Sequence, residues 1–254
     1  MTASPTSHPS SRIRFIMIKR FALPSTLALL FSGAAFADTV AVPETKKTAE
    51  LGDAGYYATG RIIGAFDNAV NMELTSPRVA SRVGGPDTGS NVTGSLGLGY
   101  QFGNGWRAEG EYVFKRTNNF TSYWAPFDAN ANEFHVSAQR LMLNGYKDFD
   151  LGRGFSVYGT LGIGVAIVSA DGWQTNDTRR FASKTQTNLA YSAGAGVSYA
   201  INKRFSIDLG YRYVDMGNVE TGFNTFANRV NARDEQLKSK LSSNEVFIGL
   251  RGRF

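Results

Sequence analysis

Three sets of residues in this 254-residue chain have chemistry to offer, and each needs a particular setting to use it. The first is His135-Val136-Ser137. A histidine can draw the proton from a serine hydroxyl and make it a nucleophile, provided a carboxylate orients the imidazole. The acids expected to serve, Asp148 and Asp150, stand a full strand-length downstream at a turn, at the opposite end of that segment. The pair therefore reads as a surface histidine beside a serine, and no catalytic residue is assigned. The second set is Gly97-x-Gly99, Gly162-x-Gly164 and Gly194-x-Gly196. Each lacks the third glycine of a dinucleotide-binding turn and none opens a helix, so their expected role is to leave room for large neighbours. The third set is the largest: Arg61, Arg107, Glu109, Glu111, Lys115, Asp208, Arg212, Glu245, Arg251 and Arg253. These charges occupy alternate positions in segments whose other positions are apolar, so in each segment they share one face. Gathered in an interior, they could line a charged pore or fill it with ion pairs. Mixed signs favour pairing, because a buried charge without a partner is costly. Cysteine is absent and His135 is the only histidine after His8. Disulfides, thiolate sites and multi-histidine metal sites are thus unavailable, and no cofactor or metal is expected.

The elements that must position these residues are strands. Residues 245–254 set Val246, Ile248 and Leu250 against Glu245, Gly249, Arg251 and Arg253, and end on Phe254. That alternation gives one greasy face and one polar face. Such a terminal strand makes sense if it closes a ring against the first strand while lipid covers the greasy side. The same period of two returns from residue 55 onward. Tyr56, Ala58, Gly60, Ile62, Gly64 and Phe66 oppose Thr59 and Arg61, and segments 92–102, 106–116, 133–149, 155–168, 189–201 and 205–213 repeat the pattern. Only the first half of 133–149, around His135 to Arg140, is ambiguous. Gly103-Asn104-Gly105, residues 150–154 and Asn202-Lys203-Arg204 read as tight turns. Residues 68–91, 117–132, 169–185 and 215–243 read as long loops. The fold class this predicts is all-β: an eight-stranded antiparallel transmembrane up-and-down barrel, with four long extracellular loops and three short periplasmic turns. Pro43, Pro77, Pro86 and Pro126, the prolines beyond residue 37, all fall outside the strands. No apolar run is long enough for a spanning helix, as expected when half of every strand faces inward.

The formal charge of +6 belongs largely to the start of the chain. Arg12, Arg14, Lys19 and Arg20 precede Asp38 and no acid does, leaving 23 basic against 21 acidic residues. Nucleic-acid binding is not supported. Ile18-Lys19-Arg20, an apolar stretch from Phe21 to about Phe31 and Ala35-Phe36-Ala37 form a secretory signal peptide, with cleavage between Ala37 and Asp38. The domain reading is therefore a signal peptide over 1–37 with its true start at Met17, a disordered periplasmic lead-in over 38–54, and a barrel over 55–254.

With the strands laid out, the chain resembles the alphaproteobacterial eight-stranded outer-membrane proteins of the Omp25/Omp31 and opacity-porin type, OmpA-like in architecture. The resemblance is carried by residues 141–149, 158–164, 194–199, Gly210-Tyr211-Arg212-Tyr213 and 249–254, and spans residues 55–254. Val246, Ile248, Leu250 and Phe254 also resemble the C-terminal assembly signal of such barrels, with Gly252 where a large residue is usual. The resemblance implies a structural or surface-interaction role in the Gram-negative envelope, without catalysis. Its implied partners are outer-membrane lipid and lipopolysaccharide, the barrel assembly machinery, and extracellular ligands met through loops 68–91, 117–132, 169–185 and 215–243. A small diffusion pore is the alternative. A lipid A-modifying enzyme is third, since outer-membrane deacylases of this strand number use a His-x-Ser pair with a downstream acid.

Overall fold

The computed structural model describes residues 54–254, apart from 76–79, 83–87, 125–126, 176–177 and 229. The segment 1–37 read as a signal peptide, the Ala37/Asp38 junction expected for its cleavage and all but Ala54 of the expected 38–54 lead-in lie outside the described residues. The strands are β1 (Gly55–Thr75), β2 (Ala80–Arg82), β3 (Gly89–Gln101), β4 (Trp106–Trp124), β5 (Phe127–Gly152), β6 (Phe155–Gln174), β7 (Arg180–Ala200), β8 (Phe205–Glu220) and β9 (Gln236–Arg253). Each pairs antiparallel with its neighbour, and β9 returns to β1 through pairs running from Tyr57↔Arg253 to Thr75↔Gln236. The short β2 hydrogen-bonds to Glu73–Thr75, above the point where β3 leaves β1. Eight strands therefore make a closed wall, the arrangement that leaves no backbone group unpaired in lipid.

Alternation decides which side chains meet lipid. Ile62, Leu96, Leu98, Leu141, Leu143, Leu161, Leu209, Ile248 and Leu250 all point outward and are exposed. Tyr56, Tyr100, Phe102, Trp106, Phe155, Tyr199 and Phe205 ring the short-turn edge of this band, with Tyr56 and Tyr100 edge-to-face at 4.9 Å. Phe66, Phe114, Tyr191 and Tyr213 mark its outer edge.

Beyond the outer edge the strands continue and their polarity inverts. Met72, Leu74, Phe120, Phe134, Val136, Val168, Val214, Met216, Val219, Leu237 and Leu241 now face inward and form one buried cluster. Outward positions there hold Thr117, Ser137, Ser169, Thr185 and Thr187. Bulges sit where the inversion happens: between Val70 and Glu73 in β1, Val113 and Arg116 in β4, and Asp215 and Asn218 in β8. One extra residue in a strand exchanges its inner and outer sets. Asn71 in a left-handed conformation (φ 55°) and Gly217 (φ 76°) supply two of these turns of the backbone.

At the same height two ladders stop. The β3–β4 ladder ends at Ser95↔Val113 and the β7–β8 ladder at Tyr191↔Asp215. Side chains bridge both seams, and near its tip the second is also closed by backbone hydrogen bonds between Arg180–Ala182 and residues 222–225. Thr93 Oγ1 donates to Phe114 O at 3.1 Å and Asn91 Nδ2 to Thr117 O at 2.5 Å. Gln186 Nε2 donates to Asn218 O at 2.7 Å and Asn188 Nδ2 to Met216 O at 2.9 Å. The extracellular head is thus two sheets, β4–β5–β6–β7 and β8–β9–β1–β2, closed over an apolar core. Much of what the sequence reading assigns to loops 68–91, 117–132, 169–185 and 215–243 is strand. β1 runs to Thr75 and β3 starts at Gly89, β4 runs to Trp124 and β5 starts at Phe127, β6 runs to Gln174 and β7 starts at Arg180, and β8 runs to Glu220 and β9 starts at Gln236. Alternation tuned to lipid misses these stretches because their outward faces are polar.

Phe254, 80% exposed, touches the wall through its N–H, 3.2 Å from Tyr56 O. Deleting it removes almost no packing from the finished barrel. Export is expected to survive this deletion while assembly fails, leaving unfolded or degraded protein in the periplasm. Heat-modifiable gel migration of membrane fractions is the check, and a fully folded deletion protein would contradict it.

Candidate functional site

The lumen within the lipid band is filled by arginines and acids packed with Ile63, Val113, Tyr146, Tyr158 and Phe247. At the short-turn end, Arg107 clasps Asp148 through Nε (2.6 Å) and Nη2 (2.7 Å), its guanidinium 4.4 Å over the Tyr146 ring. Arg251 Nη2 donates to Ser198 Oγ (2.8 Å) and Asp208 Oδ1 (3.3 Å). Next, Arg61 Nη2 donates to Glu109 Oε2 at 3.0 Å, and Thr59 and the Tyr146 hydroxyl donate to the same carboxylate. Arg61 Nη1 lies 2.7 Å from Glu109 Oε1 as an ion pair, but off the line a hydrogen bond needs. Glu111 accepts from Arg212 Nη1 (2.6 Å), Ser95 Oγ (2.6 Å) and Asn144 Nδ2 (2.9 Å).

Glu245 crowns the network. It accepts two 2.7 Å hydrogen bonds from Arg140 Nη2 and one of 2.7 Å from Arg212 Nε, with Arg116 Nη2 3.1 Å away. Arg116 also clasps Asp67, to which Asn118 donates. Among the described residues, six arginines (61, 107, 116, 140, 212, 251) meet six acids (67, 109, 111, 148, 208, 245), so the network is neutral. An eight-stranded barrel encloses little more than side-chain volume, and these groups occupy it.

Of the ten charges singled out from the sequence, Arg61, Arg107, Glu109, Glu111, Asp208, Arg212, Glu245 and Arg251 are buried here. Two are not. Lys115 faces outward, because the bulge between Val113 and Arg116 turns Arg116 inward in its place. Arg253 lies at the rim, its Nη2 donating to Lys203 O at 2.6 Å. Asp67, Arg116, Arg140 and Asp148, which sequence reading did not assign to the lumen, belong to the network. The signal for Arg140 and Asp148 is the even-numbered inward series of β5, read in both directions from Asn144. The glycines of the paired motifs stand against bulky inward groups. A Cβ on Gly196 would run into the Tyr158 hydroxyl, as would one on Gly210 at 2.5 Å.

His135 and Ser137 lie on the outward face above the lipid band. The acid that reaches His135 is Asp171, opposite it on β6, with Oδ1 3.3 Å from Nδ1, and Trp173 meets the ring edge-on at 4.5 Å. The downstream acids are spent elsewhere. Asp148 is inside with Arg107, and Asp150 accepts from Gly152 N at 2.8 Å. Ser137 Oγ accepts from Thr117 Oγ1 at 3.3 Å.

The second seam carries a titratable lock. Glu220 of β8 pairs with Lys184 of β7, across the seam, and with Lys238 of β9 at 3.0 Å. The hydrogen bond from Lys184 leads in holding the Glu220 carboxyl below its ordinary pKa, with Lys238 adding to it. A lowered folded-state pKa contributes stability above the unfolded value, and that stability is lost as pH falls through the folded value. Limited proteolysis within residues 221–235 is therefore expected to accelerate as pH drops below about 4, where free carboxylates protonate. Glu220→Gln should show the faster cleavage already at neutral pH. A rate independent of pH and of this substitution would remove the lock.

Comparison with known proteins agrees with this geometry. The chain is 26% identical over 216 residues to outer membrane protein PagN of Salmonella typhimurium, covering 77% of this chain and 88% of that protein. It is 27% identical over 170 residues to a putative adhesin of Rickettsia bellii, covering 63% and 73%. The crystal structure of the outer membrane protein OprG from Pseudomonas aeruginosa superposes with a TM-score of 0.57 at 15% identity, covering 80% of this chain and 97% of that one. The kinship to PagN and the family match over most of the chain place the protein in the outer membrane, and the OprG likeness is one of fold. The outer membrane protein beta-barrel domain family matches residues 25–233, and the chain belongs to it.

Proposed function

We propose that this protein is a closed, non-catalytic barrel that works through its extracellular head as a surface-interaction protein of the Gram-negative envelope, of the Omp25/Omp31 and opacity-porin type. The observation that carries the reading is the filled lumen. A neutral network of paired charges occupies the membrane section, and an apolar cluster sits above it. A diffusion pore needs a wet polar path, and these two layers oppose one. What is left to do work is the polar exterior of the two-sheet head and the connections at its tip. The kinship to a putative Rickettsia adhesin supports an extracellular ligand met there. The other proposed partners are lipopolysaccharide around the band and the assembly machinery at the closing strand.

Two measurements test this. Purified protein in planar bilayers should give no discrete conductance steps. Escherichia coli displaying it should adhere to host cells more than controls do, and replacing residues 222–234 with a Gly/Ser linker should remove the gain while leaving heat-modifiable migration intact. Regular conductance steps, or adherence indifferent to the head, would refute the proposal.

A further inference from the structure

The short-turn end of the barrel is cationic. Lys147, Arg153, Lys203, Arg204 and Arg253 all lie at this rim, and Asp150 is the one exposed carboxylate side chain among the described residues there. Asp150 is engaged with its own turn through Gly152 N. None of the five cations has a carboxylate partner among the described residues. The outer end differs, since Lys184 and Lys238 face Glu220 and Lys240 lies 2.7 Å from Asp215.

The rim is also preformed. Arg253 N donates to Arg204 O at 2.8 Å while its Nη2 holds Lys203 O, so the last turn is fixed with the Lys203 and Arg204 side chains free in solvent. Lys147 Nζ donates to Asn104 O at 2.8 Å and stands 5.1 Å from the Trp106 ring centre. Arg153 sits in a left-handed conformation (φ 54°) between Gly152 and Gly154.

Apolar and cationic residues interleave along this edge. Leu151 (64% exposed) and Phe155 flank Arg153, and Ile201 and Phe205 flank Lys203-Arg204. An exposed apolar group beside a free cation matches a molecule with an acyl chain and an acidic headgroup.

We propose that the short-turn rim is a headgroup site for anionic phospholipids of the periplasmic leaflet. The phosphodiester meets Arg153, Lys203 and Arg204, and the acyl chains lie against Leu151, Phe155, Ile201 and Phe205. Anionic surfaces attract such basic clusters, and the attraction falls away within a Debye length, so only a rim at headgroup depth benefits. The interleaved apolar groups favour lipid over the carboxylates of the cell wall, which offer nothing to bury against them.

The test is native mass spectrometry of the full barrel in detergent with equal amounts of phosphatidylglycerol and phosphatidylcholine. Wild-type protein should retain phosphatidylglycerol in roughly fivefold excess, the ratio expected if one cation's worth of attraction is expressed. The variant Arg153→Gln/Lys203→Gln/Arg204→Gln alters only exposed side chains. It should keep heat-modifiable migration and retain the two lipids equally. Equal retention by the wild type overturns the proposal, as does an excess that persists in the variant. Cosedimentation with purified peptidoglycan that is lost in the variant, without any lipid preference, would assign the rim to the cell wall instead and also overturn it.

Discussion

Replacing Glu245 with alanine is expected to destabilise the barrel by about 3–5 kcal/mol, the cost of leaving a buried charge without its partner. Three arginines converge on this carboxylate, but they do not depend on it equally. Arg212 keeps Glu111 at 2.6 Å and Arg116 keeps Asp67. Arg140 keeps nothing: Glu245 is its one ion-pair partner among the described residues, and its Nη1 otherwise points at Met216 Sδ, 3.7 Å away. The reverse substitution should be mild. In Arg140→Met, Glu245 still holds Arg212 and Arg116, and the new thioether joins Met142 and Met216 at the floor of the apolar cluster. Urea midpoints of both variants refolded in lipid vesicles measure the asymmetry. Equal losses would mean that Arg140 finds compensation outside this network.

Leu250→Arg and Arg251→Leu are neighbours in sequence with opposite expected fates. Leu250 is outward and mid-band, level with Gly60 on β1 and Ile207 on β8. A cation there costs roughly 2–4 kcal/mol, enough to stop stable insertion. Arg251 is inward, and losing it leaves Asp208 with the Ser198 hydroxyl at 2.5 Å. Arg251→Leu should therefore insert with reduced stability. Heat-modifiable migration separates the two. If Leu250→Arg folds and Arg251→Leu does not, the closing strand is one residue out of register, and its inner and outer faces exchange.

The membrane section is legible because lipid imposes one rule on every strand: what faces out is apolar, and charge goes in. From Tyr56 to Phe66, Phe155 to Ile167 and Phe205 to Tyr213 alternation sorts the two faces, even where Tyr57, Ile63 and Ala65 add apolar groups to the interior. It fails at Lys115 for a definable reason. Counting by twos cannot cross a bulge, and the bulge after Val113 promotes Arg116 to the interior. It also fails above the band, where water replaces lipid and the apolar residues turn inward. Segment 133–140 looked ambiguous because it crosses that boundary: Phe134, Val136 and Ala138 are buried like a soluble core, while Leu141 and Leu143 are exposed to lipid. Asp67 was passed over because the outward apolar series ends at Phe66, one residue before it. Which acid meets which arginine depends on contacts across the barrel, such as Arg140 with Glu245, 105 residues apart. No local pattern encodes those.

The split of the head into two sheets bears on how the exposed part of this protein can change over generations. The β4–β5 connection joins strands within one sheet, so its tip can lengthen or shorten without disturbing either seam, whereas residues 222–225 of the β8–β9 connection hydrogen-bond to Arg180 and Ala182 across the second seam and are held to it. Outward positions such as Ser137, Ser169, Thr185 and Thr187 contact solvent, and substitutions at such positions usually shift stability by no more than about 0.5 kcal/mol. The anchor has no such freedom, since its outer face must stay apolar and its inner face must keep the charges matched. Selection by antibodies or phage can therefore rewrite the face shown to the outside while the part that holds it in the membrane stands still.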